Sequence, residues 1–110
     1  MIKRGDIVTV AAPGDFGKPR PAVVIQSDEL IQAGSTSTIL ALITSTLADA
    51  PLIRLTIQPD EMSGLKRTSQ IQTNRILSVR SARIGHSIGQ LTAEQLKELD
   101  RLLALAIGLA

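Results

Sequence analysis

The hydrophobic pattern changes period once along this chain, and that change narrows the folds open to it. Over roughly the first eighty residues, apolar and β-branched residues gather in short runs between glycine and proline breakers, a strand signature. Asp6–Val10 (DIVTV), Pro21–Ser27, Thr38–Thr44 (TILALIT) and Leu52–Gln58 (LIRLTIQ, between Pro51 and Pro59) read this way, with two further short strands at Ser69–Thr73 and Arg75–Val79. Pro21–Ser27 is nearly all apolar and is expected to be buried on both faces. Asp28–Ala33 reads as one helical turn capped by Asp28 and ended by Gly34. From Thr92 the period becomes helical. Thr92 and Gln95 form a capping box, and Leu91 and Leu96 sit where a hydrophobic staple places them. Leu96, Leu99, Leu102, Leu103, Ala106 and Ile107 make one apolar stripe, with Gly108 as the C-terminal cap. Many short strands, one closing helix and no βαβ spacing predict a mainly β fold with a C-terminal helix (α+β), a small, strongly curved antiparallel barrel.

The chain of 110 residues is expected to form one domain, residues 1–110, large enough for a single core. It has no cysteine, which excludes disulfides, thiolate nucleophiles and cysteine-bound metal. The N-terminus lacks the apolar core of a signal peptide, and no run approaches the ~20 apolar residues of a membrane span. A soluble, cytoplasmic protein without membrane contact is expected. Net charge is only +2, yet Lys66, Arg67, Arg75, Arg80 and Arg83 fall between Met62 and Ala93, a segment without Asp or Glu. That segment attracts nucleic acid or an acidic protein segment, or else is a solvated face. With one Phe and neither Tyr nor Trp, base stacking on aromatic rings is not available as the main mode of nucleic-acid binding. Phosphate contacts, hydrogen bonds and arginine planes would have to serve.

The segment Gly17-Lys18-Pro19-Arg20-Pro21-Ala22-Val23-Val24-Ile25-Gln26-Ser27-Asp28 carries the strongest functional signal. Each proline fixes its own φ and pushes the preceding residue toward extended geometry, so Arg20 is held at the mouth of a buried strand. A guanidinium held there suits bidentate recognition of phosphate. The alternative is a proline-flanked loop whose arginine merely reaches solvent. Upstream, Ala12 to Pro19 is rich in Gly and Pro and reads as a mobile surface loop.

These residues, with Arg4-Gly5-Asp6-Ile7-Val8 before them and Leu42-Ile43-Thr44-Ser45 after, resemble the MazF/PemK family of toxins from bacterial toxin–antitoxin pairs. Gly64-Leu65-Lys66-Arg67-Thr68-Ser69-Gln70-Ile71, Arg83-Ile84-Gly85 and Ile88-Gly89-Gln90-Leu91 continue the resemblance in the family's order over almost the whole chain. The resemblance implies an SH3-like barrel of the CcdB/PemK/MazF type, usually a homodimer. It also implies a sequence-selective endoribonuclease of single-stranded RNA that needs no metal or other cofactor and is silenced by a cognate antitoxin.

On that resemblance Arg20 matches the catalytic arginine, which clamps phosphate and stabilises charge; a guanidinium holds its proton too firmly to serve as proton donor. Thr44 matches the catalytic threonine, whose hydroxyl can hydrogen-bond a non-bridging oxygen; without the resemblance it reads as an ordinary strand threonine. Asn74 stands five residues after Ser69, where many members carry an Asp placed as general base. An amide can position a hydroxyl but cannot take its proton, which leaves the base unassigned. Asp15, Phe16 and Lys18 are the expected lid over RNA, and Ser45, Ser69 and Gln72 are further expected RNA contacts. His86, the sole histidine, reads as a surface residue in a turn. Two other functions fit a chain of this kind: a catalytically silent barrel that binds RNA or sequesters antitoxin, and a CcdB-like gyrase inhibitor. The latter depends on an aromatic-bearing C-terminus, and this chain ends Ala106-Ile107-Gly108-Leu109-Ala110.

Overall fold

The computed structural model describes residues 1–11 and 18–110. Six strands form one antiparallel sheet: β1 (Asp6–Val10), β2 (Arg20–Val24), β3 (Ser37–Thr44), β4 (Arg54–Ile57), β5 (Ser69–Arg80) and β6 (Ile84–Gln90), in the order β4-β5-β3-β2-β1-β6. A short helix, α1 (Asp28–Gln32), links β2 to β3, and α2 (Ala93–Ala106) follows β6. The mainly β fold with a C-terminal helix is therefore as expected.

Alternation along the strands divides the apolar residues between two cores. Ile7, Val23, Ala41, Ile43, Ile57 and Ile71 meet Leu91, Leu99 and Leu103 beneath α2. Val8, Val10, Ala22, Val24, Leu40, Leu42 and Val79 form the opposite core, against which Ile2, Ile31, Leu77 and Ile84 pack. β2 and β3 contribute to both, which is why their sequences are nearly unbroken apolar runs.

The two edges of the sheet are brought together by the turn after β4. Gln90 N–H donates to the Met62 carbonyl (2.8 Å), and the turn's backbone lies flat against β6. A Cβ on Gly64 would run into the Ile88 carbonyl, and one on Gly89 into the Ser63 carbonyl. Gly64 also has a φ of +69°, so glycine is required there on both counts. Ser63, 2% exposed, ties the turn internally: its N–H donates to Asp60 Oδ1 (2.7 Å) and its hydroxyl to the Gln58 carbonyl (2.9 Å).

Several elements differ from the sequence reading. The two short strands expected at Ser69–Thr73 and Arg75–Val79 are one strand, β5, whose pairing with β3 shifts between Ile43↔Ile71 and Ala41↔Ile76. The extra residues bulge, so the anticipated break survives as a bend rather than a gap. Ile84–Gln90 was not expected to be a strand; its two glycines depress β propensity, but both are needed for close approach to Thr9 and to the Ser63 backbone. His86 accordingly lies in β6 and not in a turn. β2 ends at Val24, and β4 covers only Arg54–Ile57. α1 is capped by Ser27, whose side chain accepts from Leu30 N–H (3.3 Å), leaving Asp28 to accept from Arg4 N–H (2.7 Å).

The capping box of α2 is present in both directions: Thr92 Oγ1 accepts from Gln95 N–H (3.0 Å), and Gln95 Oε1 accepts from Thr92 N–H (2.9 Å). At the other end Gly108 has φ +80°. Leu109 N–H reaches the Ala104 carbonyl (2.7 Å) and Gly108 N–H the Leu105 carbonyl (3.3 Å), the paired bonds of a Schellman cap. Leu99, Leu102 and Leu103 are buried, whereas Ala106 and Ile107 of the predicted stripe are exposed. Among the described residues no helix is long and apolar enough to cross a membrane.

Candidate active site

Strand register gathers polar residues at one end of the sheet. Val10 pairs with Arg20, Thr44 with Gln70, and Gln70 with Thr56. Continuing the β2–β3 register two residues beyond Ala22↔Leu42 sets Arg20 opposite Thr44. A row Val10–Arg20–Thr44–Gln70–Thr56 thus crosses five strands, with neighbours about 5 Å apart. Arg20 and Thr44 have the parity of Ala22, Val24, Leu40 and Leu42, so the row prolongs the face of the second core beyond its apolar end.

Two members of this row, Arg20 and Thr44, border a cleft of about 330 Å³ together with Pro21, Ile43, Ser45, Thr46 and Ser69. Pro21, Ser45 and Ser69 also border an adjoining depression of about 430 Å³ whose wall includes Leu65, Lys66 and Arg67. Of the residues singled out from sequence, Arg20, Thr44, Ser45 and Ser69 therefore meet. The Thr44 hydroxyl accepts from Thr46 N–H (3.1 Å), which leaves its own hydrogen to donate into the cleft. Ser69, buried, donates instead to the Arg67 carbonyl (2.9 Å).

Other candidates lie apart. Gln72 is buried and pairs with Arg54 on β4, and it does not line the cleft. Asn74 is exposed, five residues along β5 from Ser69, about 17 Å at the rise of a strand. Lys18 is exposed next to Pro19; Asp15 and Phe16 lie outside the described residues. His86 is exposed on β6, separated from β2 by β1. The basic segment does not condense into one patch. Lys66 and Arg67 stand beside the cleft, while Arg80 ends the 12-residue β5.

The sequence reading overlooked two residues, Gln70 and Arg54. Gln70, 7% exposed, uses both ends of its amide: Oε1 accepts from Ala48 N–H (3.0 Å) and Arg54 (3.0 Å), and Nε2 donates to the Ala48 carbonyl (3.1 Å) and Thr56 Oγ1 (3.2 Å). Arg54 also donates to the Thr46 carbonyl (2.8 Å). The only signal in the sequence was a glutamine beside Ile71 in a strand; what it faces depends on register.

Among the described residues the cleft offers one guanidinium and several hydroxyls, with no carboxylate or imidazole, and no group of three or more metal-ligating side chains occurs. Such a donor set holds a tetrahedral oxyanion such as a phosphate ester. A larger groove of about 470 Å³ elsewhere, lined by Ile25, Ile39, Ile76, Leu103, Ile107 and Leu109, is apolar, and its one pair of charges, Arg4 and Asp100, is already joined at 2.6 Å.

A six-stranded antiparallel sheet with Arg20 and Thr44 at one end and a C-terminal helix against one face defines the class: a small, mainly β fold closed by a helix. Residues 3–107 match the family described as PemK-like, MazF-like toxin of type II toxin-antitoxin system, and the chain belongs to that family. A protein of Mycolicibacterium smegmatis named probable endoribonuclease MazF is 36% identical over 110 residues, covering 99% of both chains. Among solved structures, the chain is similar to an endoribonuclease in complex with its cognate antitoxin from a mycobacterial species (TM-score 0.84, 17% identity, 100% of this chain and 98% of that one). Mycobacterium tuberculosis toxin MazF-mt6 (0.82, 20%, 96% and 98%) and MazE–MazF from Deinococcus radiodurans (0.79, 17%, 99% and 97%) share the fold.

Proposed function

We propose that this protein is the toxin of a type II toxin–antitoxin pair, a metal-independent, sequence-selective endoribonuclease that cuts single-stranded RNA and so inhibits translation and growth. The observation that carries the reading is the cross-strand placement of Arg20 beside Thr44 at the cleft, in a chain of this toxin family. The neighbouring 2′-OH attacks the phosphodiester and loses its proton to water while the P–O5′ bond breaks and the 5′-oxygen takes a proton from water, leaving a 2′,3′-cyclic phosphate and a 5′-OH. Arg20 clamps the non-bridging oxygens and offsets the charge that builds on the phosphorane. Thr44 donates its hydroxyl hydrogen to one of those oxygens. Ser45 and Ser69 border the RNA path, and Lys66 and Arg67 draw its phosphates along the adjoining depression.

The protein works in the cytoplasm as a homodimer, held inactive by a cognate antitoxin, as the family and the antitoxin complexes of its structural relatives support. A second reading, a barrel that binds RNA or antitoxin without cutting, draws on the lack of a carboxylate or imidazole among the described cleft residues.

Incubating the purified protein with a long, weakly structured RNA in EDTA and mapping the ends by primer extension separates the two. Discrete cuts are expected, reduced about 10²–10³-fold or more in Arg20→Ala, the range seen when one oxyanion donor is lost. Binding without cuts by folded, antitoxin-free protein refutes the nuclease reading.

A further inference from the structure

Thr44 is the last residue of β3 and still pairs with Gln70, but beyond it the chain leaves the sheet and strand pairing no longer holds it. Something else must hold the segment that follows, because a hydroxyl that wanders by an ångström loses most of its value in a transition state. The residues that do so are buried or half-buried and lie outside the cleft.

We propose that Gln70 and Arg54 are positioning residues for the Thr44 hydroxyl. This inference rests on Thr44 serving RNA cleavage. The connection can be followed atom by atom. Gln70 Oε1 accepts from Arg54 (3.0 Å), and the same Arg54 nitrogen donates to the Thr46 carbonyl (2.8 Å). Thr46 N–H in turn donates to Thr44 Oγ1 (3.1 Å). That last bond occupies a lone pair of the hydroxyl and turns its hydrogen outward. A second anchor lies two residues further on, where Gln70 bonds both the N–H and the carbonyl of Ala48 (3.0 and 3.1 Å).

The orientation of the Gln70 amide is not arbitrary. Arg54 can only donate, and Ala48 presents one donor and one acceptor, so only one of the two amide orientations satisfies all of them. Thr56 takes the remaining amide hydrogen (3.2 Å). Gln70 is also the cross-strand partner of Thr44, so one side chain holds the catalytic position from the neighbouring strand and from the loop beyond it. Buried networks with every member satisfied are the kind that specify a single geometry.

The test is kinetic. Gln70→Met keeps the volume and removes every bond, and Arg54→Met removes the middle link from a half-exposed position where folding is least at risk. Each is expected to lower kcat about tenfold or more, with KM unchanged within about twofold. Affinity for an RNA carrying a 2′-deoxynucleotide at the mapped cut site should likewise stay within about twofold. Gln70→Glu keeps the acceptor that Arg54 uses and should restore most of the lost kcat. In a double-mutant cycle, Gln70→Met added to Thr44→Val should cost little beyond Thr44→Val alone.

Full kcat in folded Gln70→Met or Arg54→Met overturns the proposal, as do losses that simply add to that of Thr44→Val. Should Gln70→Met fail to fold, Arg54→Met decides alone. If Thr44→Val itself cuts at the full rate, the assignment of Thr44 is what fails, and the positioning role falls with it. A slow Thr44→Val beside a fast Arg54→Met refutes the positioning role alone.

Discussion

The α2 side of the sheet and the row at its mouth are built from the same strands and do opposite work. Beneath α2, Ile43 and Ile71 face Leu99 and Leu103 in a core of aliphatic side chains, Leu99 fully buried. One residue along each strand, Thr44 and Gln70 belong to the row, where hydrogen bonds replace contact area. The core is held by non-directional packing, which tolerates small shifts but not lost volume. The row depends on direction, so under the proposed function it is expected to lose activity to changes that leave volume intact. On the proposed function, stability and chemistry are separable over the rise of a single residue, about 3.3 Å.

That separation can be broken by measuring melting and cleavage on the same variants. Leu99→Ala should show the largest thermodynamic effect, a loss of about 2–5 kcal/mol in denaturant unfolding. The folded fraction should cut at an unchanged rate; a parallel collapse of kcat would mean the two regions are coupled through the sheet. Thr92→Ala removes the capping box at the start of α2 and should cost about 1 kcal/mol, again without slowing cleavage. The smallest effect is expected at the far end of β5. Asn74 is exposed and distant from the cleft, so Asn74→Asp should leave kcat within about twofold and stability within about 0.5 kcal/mol. A marked gain in rate would instead bring position 74 into the reaction and identify a missing base.

How much was legible in advance follows from the range of the forces involved. The α2 cap, its staple and its apolar stripe are local, involving residues three or four apart, and they stand as expected except at Ala106 and Ile107. Those two are apolar in sequence yet exposed, Ile107 on the wall of an open groove with Ile39 and Ile76. β1 and β3 were legible because β-branched residues cluster there. β6 was not, because Gly85 and Gly89 serve contacts with Thr9 and the Ser63 backbone that belong to other parts of the chain. Arg20 and Thr44 could be named from local motif and resemblance. Gln70 and Arg54 could not, since a glutamine in a strand carries no mark of what lies across from it.

The chain alone therefore determined what depends on near neighbours: the strand runs, the capped helix, and an arginine held between prolines at a strand mouth. Only the tertiary structure decided the pairing register that sets Arg20, Thr44 and Gln70 in one row. It also decided the two glycine contacts that draw the sheet's edges together and the hydrogen bond from Thr46 N–H to the Thr44 hydroxyl at the cleft. The physical reason is that register is chosen by the burial of both faces at once, a condition met by the whole sheet and by no segment of it.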